Sequence, residues 1–201
     1  MPAPLWIVVL IKDFRTAKSR LASAMEPEAR RALAVETAAR ALHAALAVGP
    51  ILAVCGSTEA ADLARSLGAT VVIESEPSGQ NPAARLGLAE VSKRGAGAAL
   101  LLSSDLPLVD AAGLRRMLDH ADGHSNVVVA AAATGRQGTN ALFLRPIGDF
   151  DLHFGEASLP RFAQEAQRRG RTFILHEDPT LALDLDEPSD LATWRQLEPT
   201  A

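Results

Sequence analysis

The sequence predicts an α/β fold: a three-layer α/β/α sandwich of the Rossmann-like kind, built on a mostly parallel sheet. Three observations carry this reading. Short apolar runs alternate with longer helix-forming segments along the whole chain, the pattern that right-handed strand-helix-strand crossovers produce. The runs over 5–11 and 98–102 are apolar at every position, as strands covered by helices on both faces must be. Asp105 follows the second run through Ser103 and Ser104, so a carboxylate is delivered to the C-terminal end of a buried strand, where open α/β sheets bind ligands.

Taken in order, residues 5–11 are rich in β-branched side chains and read as the first and central strand. After a polar loop, Pro27, flanked by Glu26 and Glu28, suits a helix first turn; an Ala-rich segment runs from there to about Val48 before Gly49-Pro50 stops it. Residues 51–55 form a short strand. Thr58 is expected to cap a helix reaching Leu67, and Gly68 ends it ahead of a strand over 70–73. Residues 81–94 read as a helix with Pro82 in its first turn, and Gly95-Ala96-Gly97 turns into the strand that leads to Asp105. Beyond it, 111–120 is a helix, 127–132 and 141–144 are strands forming a β-excursion, 159–169 is a helix and 172–175 a short strand. Leu181-Ala182-Leu183 then leads into Asp184-Leu185-Asp186, ahead of a final helix over 188–197. No repeat or low-complexity linker interrupts the series, so a single domain over 1–201 is expected.

Composition narrows the function. With 48% hydrophobic residues in 201, the chain can bury a full core. A formal net charge of −4 and the lack of an aromatic-basic stripe give no footprint for nucleic acid. Cys55 is the only cysteine, which excludes an intrachain disulfide framework and fits a reducing cytoplasm. No apolar stretch approaches a membrane span, and Met1-Pro2-Ala3-Pro4 does not start a signal peptide, so a cytoplasmic protein is expected. Nothing marks the oligomeric state; a homodimer stays open.

The chemistry-bearing residues sit in loops. Lys12, Arg15, Lys18 and Arg20 follow the first strand, and such a cluster suits a triphosphate or a leaving pyrophosphate; a solvated basic loop is the competing explanation. Neither a Walker A sequence nor G-x-G-x-x-G is present, so ordinary P-loop and dinucleotide binding are disfavoured. Asp184 and Asp186 lie two apart after an apolar run, which in extended chain puts both on one face; with Asp105 they make a candidate Mg²⁺ site. Asp190 reads instead as part of a helix start. Gln137-Gly138-Thr139-Asn140 offers backbone, hydroxyl and amide to an anion or a base, or is a simple hairpin turn. Ser158, after Phe154-Gly155-Glu156-Ala157, is a candidate N-cap or anion ligand. In Ser78-Gly79-Gln80-Asn81, Asn81 either caps the following helix or reads a nucleobase edge. His120 and His124 have i,i+4 spacing, but Gly123 breaks the helix between them and no third ligand is signalled, so a surface helix end is expected.

Ile11-Lys12 with Ala17-Lys18-Ser19-Arg20-Leu21, then Asp105-Leu106-Pro107, Gly138-Thr139-Asn140-Ala141-Leu142, Phe154-Gly155 with Ser158, and Leu183-Asp184-Leu185-Asp186 with Pro188 and Asp190, occur in order along nearly the whole chain. This series resembles the 2-phospho-L-lactate guanylyltransferase family. The resemblance implies the nucleotidyltransferase version of the three-layer sandwich, and transfer of GMP from GTP to a three-carbon phosphate in the biosynthesis of coenzyme F(420). The acceptor would be 2-phospho-L-lactate, phosphoenolpyruvate or 3-phosphoglycerate, with pyrophosphate released. It further implies Mg²⁺ on Asp105, Asp184 and Asp186, GTP phosphates on Lys12, Lys18 and Arg20, and the acceptor on Thr139, Gly155 and Ser158. The chain departs from the family pattern at Gln80, Ala130-Ala131-Ala132-Ala133, Gln137 and Glu156-Ala157, around the expected base and acceptor pockets. The alternatives are a nucleotidyltransferase for another acceptor, such as a sugar phosphate or a molybdopterin, and a catalytically silent nucleotide-binding protein. The glycine-rich, Arg-containing first loop of those other transferases is missing here.

Overall fold

The computed structural model describes residues 4–76, 79–135 and 137–197. Its elements run β1 (Leu5–Ile11), α1 (Pro27–Leu46), β2 (Ile51–Cys55), α2 (Thr58–Ser66), β3 (Thr70–Ile73), α3 (Gln80–Lys93), β4 (Ala98–Ser103), α4 (Ala111–Asp119), β5 (Val127–Ala132), β6 (Thr139–Arg145), α5 (Ser158–Arg168), β7 (Thr172–His176), α6 (Pro179–Ala182) and α7 (Pro188–Leu197). The strands form a 7-stranded sheet in the order β3-β2-β1-β4-β6-β5-β7. All neighbouring pairs are parallel except those made by β6, which runs antiparallel between β4 and β5. β1 is therefore interior, as its apolar run requires, but the middle position belongs to β4, the strand that leads to Asp105.

The unbroken apolar runs are explained by the two cores. Successive strand side chains point to opposite faces. Ile7, Val9, Leu100 and Leu102 pack on one face with α1, α2 and α4; Val8, Leu10, Ala99 and Leu101 pack on the other with α3 and α5. Both faces are buried, so no polar position interrupts the strands. A third, small cluster joins Leu21, Leu33, Leu185 and Leu191, with Met25 and Trp194 against it. It anchors α7 and the 3-10 turn Ser19–Ser23 beside the loop that follows β1.

Several local expectations are corrected. Ser57, not Thr58, caps α2, its hydroxyl accepting from the Ala60 amide at 3.3 Å. The residue in the N-cap position of α3 is Gly79, at a φ of +109° that glycine tolerates best, so Asn81 is inside the helix and is not its cap. Ser158 is likewise the first helical residue of α5, preceded by Ala157 in the left-handed region. Leu181 and Ala182, read with Leu183 as an apolar run, fall instead in the short helix Pro179–Ala182, because Asp178 caps it by accepting from the Thr180 amide at 2.9 Å and Pro179 fits its first turn. Ser78 lies outside the described residues.

Candidate active site

The C-terminal ends of β1 to β5 and β7, with the N-terminus of antiparallel β6, share one edge of the sheet. A cleft of about 450 Å³ opens there, within the range of small-ligand sites. It is lined by Lys12, Asp13, Phe14 and Lys18 after β1, Gly56 after β2, Glu74 after β3, Gly79, Gln80 and Ala83 of α3, Ser103 to Asp105 after β4, and Asp186. Four of the expected site residues, Lys12, Lys18, Asp105 and Asp186, thus meet in one cavity.

Lys18 ties three distant pieces of chain together. Its side chain is only 4% exposed, and Nζ lies 3.9 Å from Asp105 Oδ2. The same Nζ donates to the Leu185 carbonyl at 2.9 Å, while the Leu185 amide donates to the Asp105 carbonyl at 3.2 Å. Leu183 and Leu185 are buried, so Asp184 and Asp186, alternating with them, turn the other way, as the two-residue spacing predicts. Burial pushes the Lys18 ammonium below its ordinary pKa, against the opposing pull of Asp105, Asp186 and Asp184. Burial acts to raise the Asp105 carboxyl, but the charges of Lys18 and Lys12, together with hydrogen bonds from Ser103 and the backbone, outweigh it and hold the group below the usual carboxylate range. Lys18 itself adopts φ 60°, ψ 25°, an unusual conformation for a long side chain that aims it into the fold.

The other cations divide. Arg15 is engaged locally, its Nη2 donating to Asp13 Oδ2 at 2.7 Å on the surface. Arg20 is exposed and lies 3.6 Å from Asp186 Oδ2, so it borders the cleft through that carboxylate. Asp190, read as an ordinary helix start, also shapes the site. Its Oδ2 accepts from the amides of Asp186 at 2.9 Å and Glu187 at 2.7 Å, fixing the turn that presents Asp186.

The donor set suits Mg²⁺ in kind. Oδ1 of Asp105 is buried without a hydrogen-bond partner, and hard cations take carboxylate oxygens. Among the described residues no three His, Cys, Asp or Glu side chains are already gathered as a metal cluster. That is compatible with Mg²⁺, which is commonly held by one or two carboxylates together with substrate phosphates.

Thr139, Gly155 and Ser158 come together in a separate group, none of them lining this cleft. Ser158 Oγ donates to Thr139 Oγ1 at 3.0 Å, both side chains being buried. Gly155 is exposed at a φ of +123°, a conformation open chiefly to glycine, and its carbonyl accepts from the Ser158 amide at 3.2 Å. Asn81 reaches across to this loop: its Nδ2 donates to the Phe154 carbonyl at 2.9 Å and its Oδ1 accepts from the Phe154 amide at 2.8 Å. The expected nucleotide residue is therefore a two-point clamp between α3 and the Gly155 loop, a role that no local pattern signals. Asn140, read as an amide for a ligand, is buried and donates to the carbonyls of Leu181 at 2.9 Å and Ala182 at 3.2 Å, holding the approach to Asp184. His120 packs edge-on against His176, with ring centroids 5.1 Å apart, and stays away from the cleft. Cys55 is buried with its thiol pushed up to about 12, chiefly by burial, so it is not an activated nucleophile.

A parallel sheet with one antiparallel insertion, and a cationic loop facing carboxylates across a cleft at its C-terminal edge, is the architecture of a nucleotidyltransferase. Solved structures bear this out at the level of fold. The chain superposes with a TM-score of 0.79 on a protein from Desulfovibrio desulfuricans described as a nucleotide-diphospho-sugar transferase, at 14% identity, over 98% of this chain and 89% of that one. A nucleotidyl transferase from Methanothermobacter gives 0.66 at 18% identity, over 96% of each chain. Residues 5–194 match the family model described as "Guanylyl transferase CofC like", and the chain belongs to that family. It is 37% identical to the phosphoenolpyruvate guanylyltransferase of Rubrobacter xylanophilus, over 92% of this chain and 90% of that protein. It is 35% identical to the 3-phospho-D-glycerate guanylyltransferase of Phenylobacterium zucineum, over 91% and 86%. It is 29% identical to the 2-phospho-L-lactate guanylyltransferase of Methanothermobacter thermautotrophicus, over 92% and 81%. No helix among the described residues is long and apolar enough to cross a membrane.

Proposed function

We propose that the protein transfers GMP from GTP to a small three-carbon phosphate, releasing pyrophosphate, as a Mg²⁺-dependent step of coenzyme F(420) biosynthesis. The observation that carries this reading is the Lys18 knot: a buried ammonium beside Asp105 that also holds the Asp184–Asp186 segment against it, in a chain related over most of its length to guanylyltransferases. The acceptor is 2-phospho-L-lactate, phosphoenolpyruvate or 3-phosphoglycerate, the substrates named for the relatives.

The chemistry follows from charge. An oxygen of the acceptor phosphate forms a bond to the α-phosphorus of GTP, and the bond from that phosphorus to the bridging oxygen of pyrophosphate breaks. The attacking oxygen is already anionic, so the protein needs no general base; its work is positioning and charge neutralisation. Asp105, Asp184 and Asp186 would hold Mg²⁺, which supplies positive charge to the phosphate oxygens. Lys12 and Lys18 face the same space, and Arg20 borders it, where negative charge accumulates on the departing pyrophosphate. Gly155 and the backbone at the start of α5 would receive the acceptor, with Thr139 and Ser158 locking that turn through their hydroxyl pair.

The reading is tested by pyrophosphate release from GTP with each of the three acceptors, in the presence of Mg²⁺ and after its removal by chelation, with product masses determined. Release with a three-carbon phosphate, abolished by chelation, is expected. Release only with a sugar phosphate or a molybdopterin would transfer the protein to another reaction, and no release with any acceptor would leave a silent nucleotide-binding protein.

A further inference from the structure

Two carboxylates lining the cleft have no part in the phosphate chemistry, Asp13 and Glu74, and Asp13 is already engaged by Arg15. Glu74 follows directly on β3, and its amide donates to the Cys55 carbonyl at 3.0 Å, which fixes it against the end of β2. Its side chain is half-buried, no group among the described residues hydrogen-bonds or ion-pairs with it, and burial raises its pKa. A partly withdrawn carboxylate that lines the cleft without a donor from the described residues is open to a ligand that supplies donors.

Its place in the sheet says which part of a nucleotide would reach it. Asp105 follows β4 and Glu74 follows β3, three strands away in the order β3-β2-β1-β4. At the usual strand spacing that is roughly 14 Å. An extended nucleotide whose phosphates lie at Lys12, Lys18 and Asp105 spans such a gap with its base, and the acceptor site at Thr139 lies on the opposite side of β4, beside β6. Between the two ends, Gly56 also lines the cleft; a Cβ there would stand 3.0 Å from the Asp13 amide nitrogen, so the loop after β1 packs closely on this position.

We propose that Glu74 selects guanine, its carboxylate accepting hydrogen bonds from N1–H and the 2-amino group of the base. Guanine presents those two donors side by side, matching the two oxygens of one carboxylate. Adenine presents an acceptor at N1 and no 2-amino group, which would leave the carboxylate unpaired against a lone pair. Sites built to hydrogen-bond a substrate group discriminate sharply against analogues that lack it. The assignment rests on the guanylyl-transfer reading and names the residue that makes the donor GTP.

Inosine triphosphate isolates the contact, because it keeps N1–H and lacks only the 2-amino group. Values of kcat/KM for GTP, inosine triphosphate and ATP are to be measured for the wild type and for Glu74→Gln and Glu74→Ala, with the best three-carbon acceptor and with melting recorded for each variant. The wild type is expected to favour GTP over inosine triphosphate by at least about tenfold, and over ATP by more. In both variants the GTP value should drop by at least about tenfold and the GTP-to-inosine preference should fall towards one; a merely structural role would lower both nucleotides equally. A wild type indifferent to the 2-amino group overturns the assignment without any variant, as does a folded Glu74 variant that keeps the wild-type preference. Failure to release pyrophosphate from GTP with any acceptor would instead strike the guanylyl-transfer reading itself.

Discussion

Asp105 and Lys18 show how a few ångströms decide what a residue does. Each, alone in the sequence, is an ordinary loop charge. Together they form a pair in which the buried ammonium helps to hold the half-buried carboxyl low while burial pushes the ammonium low. Asp105→Asn keeps the volume of the side chain and removes its charge. It should leave melting within a few degrees of wild type, because Lys18 retains the Leu185 carbonyl, yet lower kcat by at least about a hundredfold through loss of electrostatic stabilisation. Steady-state assays alongside calorimetry check this, and a variant with normal turnover would remove Asp105 from the site. Because the Asp105 pKa lies below the carboxylate range, the group is ionised throughout the neutral range, and its protonation should not limit activity there. The carboxylate at a strand end was legible from the sequence. Its dependence on Lys18 was not, since the two are far apart in the chain and meet only after β1 and β4 pair.

At the scale of elements, the strands were the most readable part and the caps the least. Strands such as β1, β2 and β4 stand out because burial on both faces forbids polar positions, whereas caps depend on one backbone angle that neighbouring residues satisfy equally well: Ser57 for Thr58, Gly79 for Asn81. Close helix-sheet approach is likewise invisible until the layers stack. Gly87, in the middle of α3, sits against the sheet so tightly that a Cβ would come within 2.4 Å of Val8 Cγ1 and 3.0 Å of Val54 Cγ2. Alanine normally stabilises a helix interior relative to glycine. Here Gly87→Ala should instead destabilise the protein by about 1–3 kcal/mol, the range for overpacking a core. Urea unfolding measures it, and a gain in stability would mean that α3 lies farther from β1 and β2. The consequence reaches the cleft, because α3 carries both Gln80 and the Asn81 clamp on Phe154.

Over the whole molecule, the acidic limb of stability has two sources. His176 is buried at the end of β7 and its pKa lies below 6.5, chiefly through that burial, despite the opposing charge of Asp178. Glu165 is brought to about 2 from 4.5, first by its hydrogen bond from Arg168. Asp178 is also at about 2, against 3.8, because hydrogen bonds from Arg116 and Thr180 overcome the cost of burial. In all three the folded pKa lies below the unfolded value, so the stabilising contribution is present above the unfolded value and is lost as pH falls through the folded one. Calorimetry across pH should therefore show a first decline in melting temperature below about pH 6.5 and a second between about pH 4.5 and 2. A melting temperature unchanged down to pH 3 would contradict these placements.

By itself the sequence determined the alternation of elements, the burial of the strands on both faces, the carboxylate at the end of β4 and the two-residue phase of Asp184 and Asp186. These are local consequences of periodicity and chain stiffness. Only the tertiary structure decided that Lys18 turns inward to bridge Asp105 and Leu185, that Asn81 and Asn140 hydrogen-bond to backbone of distant segments, and that Glu74 shares a cleft with Asp105. The reason is physical: a polar side chain takes whichever partner the packed layers leave within hydrogen-bond reach, and that partner is set by strand order, which no stretch of neighbouring residues encodes.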